Sequence, residues 1–117
     1  MNIDRLQIEA QDVLHQTWFV QEMKLVDQTN ETVTIHLILT PDLFVQVFFS
    51  QRSGRFNLAL VGPAGRLYGR DREHGIWHRH PFGNTEKHEP TPTGMSNRPI
   101  EQFMTEVEQI LLEKELI

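Results

Sequence analysis

The 117-residue sequence predicts an α+β fold: an antiparallel meander of about five strands, flanked by N- and C-terminal helices that pack on one face of the sheet. Three observations carry that prediction. Apolar residues recur every three or four positions at both ends of the chain. They alternate at every second position through the middle. No helical stretch separates successive strands, so parallel crossovers have no helix to use.

Between Asn2 and Thr17, residues Ile3, Leu6, Ala10, Val13 and Leu14 fall on one helical face. The period changes at Phe19, and Phe19, Met23 and Leu25 alternate with Val20, Glu22 and Lys24 in a half-buried first strand. Gln28 to Glu31 is a polar turn. Val33, Ile35, Leu37 and Leu39 mark a second strand, with Thr32, Thr34 and His36 opposite, and Pro41-Asp42 turns the chain again. In the third strand, Leu43 to Ser50, Leu43, Val45, Val47 and Phe49 share one face while Phe44 and Phe48 take the other. Ser53-Gly54 leads to a fourth strand with Phe56, Leu58 and Leu60, and Gly62-Pro63-Ala64-Gly65 to a fifth, Arg66 to Arg72. Residues 73–97, rich in His, Pro and Gly, read as an irregular connection, because eleven of the thirteen glycines and prolines lie between Gly62 and Pro99. Ser96 or Asn97 then supplies an N-cap and Pro99 a first turn. Ile100, Phe103, Met104, Val107, Ile110 and Leu111 trace the closing helix. A single domain, residues 1–117, accommodates all of this.

Composition removes several function classes. With no cysteine, the chain has no disulfide framework, no thiol nucleophile and no thiolate metal site. No segment approaches the roughly 20 apolar residues that cross a bilayer, and the first nine residues carry Asp4 and Glu9, so a cytoplasmic protein with no membrane partner is expected. Ser50, Ser53 and Ser96 lack a nucleophile-elbow context, and no glycine loop precedes a Lys-Ser/Thr pair. The net charge of −5 is unevenly spread. Residues 52–88 hold seven cations against three carboxylates, a local +4, and the remainder sums to −9. Four of the six histidines lie in that same basic stretch.

Chemistry therefore concentrates in Trp77-His78-Arg79-His80-Pro81 and Lys87-His88-Glu89. If the first run is extended, His78 and His80 share a face. Imidazoles placed this way suit metal-free phosphodiester cleavage, in which one takes a proton from the ribose 2′-hydroxyl, another protonates the leaving oxygen, and Arg or Lys stabilises the phosphorane. The candidate catalytic residues are His78, His80 and His88, with Asp71 to orient one of them. The candidate phosphate-binding residues are Arg70, Arg79 and Lys87, and no cofactor is required. The alternative is a non-catalytic protein- or zinc-binding module acting through the same loop, with His74, His78, His80 and His88 as ligands. His36, on the polar strand face, and His15, near a helix end, read as structural. Phe44, Phe48 and Tyr68 would make a base-stacking platform if the second sheet face were open.

These residues also carry a resemblance. Leu67-Tyr68-Gly69-Arg70-Asp71, then His78-Arg79-His80-Pro81, then Lys87-His88, between an N-terminal helix with a strand meander and a closing amphipathic helix, resembles the small TumE-like toxins of toxin–antitoxin modules. The specific part spans about twenty residues. Asp71 matches the family's Asp; His78, His80 and Pro81 match its first histidine group; Lys87 and His88 match the end of its second. The chain departs from the pattern at Arg72, where the family has Asn, and at Thr85-Glu86, where it has paired histidines. The resemblance implies a toxin with ribonuclease activity or an inactivated relative, a cognate antitoxin as protein partner and RNA as substrate. The edge of such a sheet also permits a homodimer.

Overall fold

The computed structural model describes residues 1–91 and 94–117. Helix α1 (Ile3–Gln16) is followed by strands β1 (Glu22–Gln28), β2 (Thr32–Thr40), β3 (Leu43–Ser50), β4 (Phe56–Gly62), β5 (Gly65–Glu73), β6 (Ile76–His80) and β7 (Glu89–Pro90), and by helix α2 (Pro99–Glu113). All seven strands form one antiparallel sheet in chain order. The class is α+β as expected, but the described residues form seven strands rather than five. The two additional strands lie within 73–97, the stretch that composition marked as irregular.

One face of the sheet builds the core. Val33, Ile35, Leu37 and Leu39 of β2, Val45, Val47 and Phe49 of β3, and Phe56, Leu58 and Leu60 of β4 are buried in one cluster. Ile3, Leu6, Ala10 and Val13 of α1 and Ile100, Phe103, Met104, Val107 and Leu111 of α2 close over them. Strict alternation in β2 and β3 sets this face, and cross-strand pairs such as Ile35–Val47 and Val47–Leu58 keep it in register. The other face carries Thr34, His36, Phe44, Gln46, Phe48 and Asn57, all half-buried, with no helix over it among the described residues.

Three details depart from the sequence reading. Phe19 and Val20 are buried but precede β1, and along β1 only Met23 is even half-buried. Tyr68 lies on the helix-covered face, with its ring 5.6 Å from Phe103, so it forms no platform with Phe44 and Phe48. At the start of α2 neither Ser96 nor Asn97 is the N-cap; Arg98 holds that position and its side chain makes no capping bond. The cap comes from α1, where the buried Glu9 Oε2 accepts the Glu101 amide at 2.9 Å. A carboxylate at a helix N-terminus meets both the unpaired amides and the positive dipole end. Arg98 to Asp12 (3.1 Å) and Trp18 Nε1 to Glu108 (2.6 Å) also join the helices.

Candidate functional site

The site follows from the register of β5 and β6. Asp71 pairs with His78 and Gly69 with His80, and cross-strand partners share a face. Asn57, on the uncovered face, pairs with Asp71, so Asp71, His78 and His80 all stand on the side away from the helices. The intervening residues Arg70 and Arg79 pair with each other and point to the helix side.

Hydrogen bonds fix the centre of this cluster. His80 is 2% exposed, and its Nε2 lies 2.8 Å from Asp71 Oδ2. Its Nδ1 lies 2.8 Å from the Thr85 carbonyl and 3.3 Å from Arg66 Nη2, which itself donates to that carbonyl at 2.9 Å. A carboxylate only accepts, so Nε2–H donates to Asp71, and both ring nitrogens of His80 are occupied. Asp71 Oδ1 remains free of that bond and faces His78 Nδ1 at 3.8 Å. His88 comes from the segment after β6. Its ring centroid lies 4.2 Å from that of His80 and 5.7 Å from that of His78, edge-on to both. The two rings with accessible nitrogens are therefore His78, half-buried, and His88, exposed.

Gly69 makes the arrangement possible. A Cβ there would stand 3.3 Å from Arg66 Cδ and 3.2 Å from the Leu58 carbonyl oxygen, so the bare backbone lets the Arg66 side chain cross the strand to reach His80 and Thr85. No family model, curated protein or solved structure matches the chain.

Asp71, His78, His80 and His88 are brought together as anticipated, whereas the expected phosphate-binding residues are not. Arg70 donates from Nε (3.0 Å) and Nη2 (2.8 Å) to Glu106 of α2, which also accepts the Tyr68 hydroxyl at 2.7 Å. This fork-shaped pair belongs to the core side of the sheet. Arg79 donates to Glu89 at 2.9 Å, and Lys87 Nζ lies 3.7 Å from the same carboxylate. The Arg79 bond holds Glu89 below the usual carboxylate range. His74 is set apart as well, because it occupies the two-residue turn between β5 and β6 with a φ of 53°. Arg66 and the Thr85 carbonyl are the contributors that sequence reasoning missed. The available signal was a glycine in a strand interior three residues after an arginine, which marks a close approach. His36, expected on the polar strand face, is half-buried there: it stacks on Phe44 at 4.4 Å and contacts Gln46 Oε1 at 3.0 Å.

Proposed function

We propose that the uncovered face cleaves RNA by metal-independent general acid–base chemistry, and that the chain acts as the toxin of a toxin–antitoxin pair. The observation that carries the first part is the pair of accessible imidazoles, His78 and His88, with centroids 5.7 Å apart beside an anchored carboxylate. One imidazole takes the proton of a ribose 2′-hydroxyl, whose oxygen attacks the neighbouring phosphorus. The other protonates the 5′ oxygen as its bond to phosphorus breaks, leaving a 2′,3′-cyclic phosphate and a free 5′-hydroxyl. Asp71 positions His78, and His80 positions Asp71. Arg66, held beside His80, supplies the positive charge that meets the phosphate. The residue-level likeness to TumE-like toxins between Leu67 and His88 supports the second part and names a cognate antitoxin as partner. The exposed edge strand β1 supports pairing of two copies.

Cleavage of single-stranded RNA in the presence of a chelator tests the chemistry. The wild type is expected to cleave, His78→Ala and His88→Ala to lose roughly a hundredfold or more, and His15→Gln to keep full activity. Intact RNA with the wild type, or wild-type rates in both alanine variants, overturns the reading. Expression of the chain alone is expected to arrest growth, and His88→Ala to relieve the arrest.

A further inference from the structure

We infer that Asp71, His78 and His88 form a binding site for a divalent transition-metal ion of the zinc class, with His80 as the residue that aims the carboxylate. One ligating atom from each of the three lies within 4.8 Å of the other two. The ligands of a tetrahedral zinc stand about 3.4 Å apart, given metal–ligand distances of about 2.1 Å, so a contraction of at most about 1.4 Å closes the set. His88 is exposed, which leaves its ring room to move towards Asp71 and His78.

The donor set matches the chemistry of the ion. Two imidazoles and a carboxylate are borderline ligands that favour zinc and its neighbours over calcium or magnesium, which prefer oxygen-rich shells. The surrounding bonds argue for the same three residues. His80 holds Oδ2 and leaves Oδ1 facing His78, so the carboxylate presents one oxygen in a fixed direction. Outer partners of this kind orient metal ligands and tune affinity. The four-histidine set suggested by composition does not assemble: His80 has no free nitrogen, and His74 sits in a turn outside the cluster. Asp71, a strand carboxylate, takes the place that composition assigned to further histidines. Three protein ligands leave one position for water. Because His88 is exposed, that position is on the solvent side.

The consequence of occupancy rests on the proposed cleavage reading. An ion held there takes up the imidazole lone pairs that the acid–base step uses, so it blocks cleavage rather than assisting it.

Calorimetric titration of the chelator-treated full chain with zinc chloride tests the site without any RNA. One ion per chain is expected, with affinity at least tenfold weaker in Asp71→Asn and in His88→Ala. His36→Gln should bind as the wild type does. His80→Gln is expected to bind the ion some 10–100-fold more weakly, the range for loss of an outer partner, with far-ultraviolet dichroism confirming the fold. Absence of stoichiometric binding by the wild type overturns the site. So does wild-type affinity in both Asp71→Asn and His88→Ala, or an equal loss in His36→Gln. RNA left intact by metal-free protein overturns the cleavage reading alone, whereas zinc that binds but leaves cleavage unchanged overturns the blocking consequence alone.

Discussion

Asp71 and Arg70 are neighbours in the chain that serve opposite sides of one sheet. Arg70 is a core residue: with Tyr68 it makes a three-point contact to Glu106, and its own Nη1 is buried without a partner among the described residues. The phenol of Tyr68 is pushed up to about 12, first by burial and then by the hydrogen bond and charge of Glu106. Tyr68 is the sole tyrosine, so an ultraviolet titration of phenolate reads it directly. Half-ionisation is expected near pH 12 in the wild type and closer to the ordinary value in Glu106→Gln. Because the folded state favours the neutral phenol, the associated stability is fully present below the ordinary value of 10.0 and is lost as pH rises through about 12. Glu106→Ala leaves the Arg70 charge without its partner, and a loss of about 2–3 kcal/mol is expected in denaturant unfolding.

At the scale of elements, the turn that joins β5 to β6 and the cap of α2 each make a testable difference. His74 and Gly75 both have positive φ, 53° and 77°, the backbone of the two-residue hairpin turn whose twist suits its strands. A histidine there bears a Cβ penalty, so His74→Gly is expected to stabilise the protein by about 0.5–1 kcal/mol while leaving zinc affinity unchanged. Thermal melting and calorimetry check the two parts. Glu9 caps α2 across the helix pair at the cost of burial, which raises it above the usual carboxylate value, and its Oε1 has no partner among the described residues. A raised folded-state pKa gives stability that is present below 4.5 and fades as pH rises through the folded value. The stability of wild type relative to Glu9→Gln should therefore decline from about pH 4.5 towards neutrality in parallel denaturation series. The cap was not legible in the sequence, because its partners lie 92 residues apart in the chain, and the turn was hidden within a stretch whose composition reads as irregular. Strand existence was legible wherever alternation was strict, as in Val33 to Leu39 and Leu43 to Phe49. It failed in β6, where Trp77, Arg79 and the histidines blur the apolar pattern and glycine and proline flank the run. The spacing of His78 and His80 did place them on one face. That spacing could not show that Asp71 binds one of them and leaves the other open, since this depends on the β5–β6 register.

For the molecule as a whole, the division between a covered and an uncovered face separates stability from chemistry. Leu58 is fully buried under the helices, one residue along β4 from Asn57, which pairs with Asp71 on the other side. Leu58→Ala is expected to cost about 2–5 kcal/mol, read as a lower denaturation midpoint, with zinc affinity retained where the protein is folded. The uneven charge follows the chain and not the faces: the basic stretch 52–88 includes β4, β5 and β6 and both sets of candidate residues, with Arg70 and Arg79 on the covered side. The unbroken meander also bears on how the chain reaches this state. Every strand pairs with its neighbour in sequence, and three of the hairpins close over only two residues, at 41–42, 63–64 and 74–75. Zipping such hairpins costs little loop entropy, whereas joining Glu9 to Glu101 or Trp18 to Glu108 closes about ninety residues. The sheet can therefore form progressively outward from its hairpins, and docking of the two helices becomes the late, slow step that commits the molecule to one covered face.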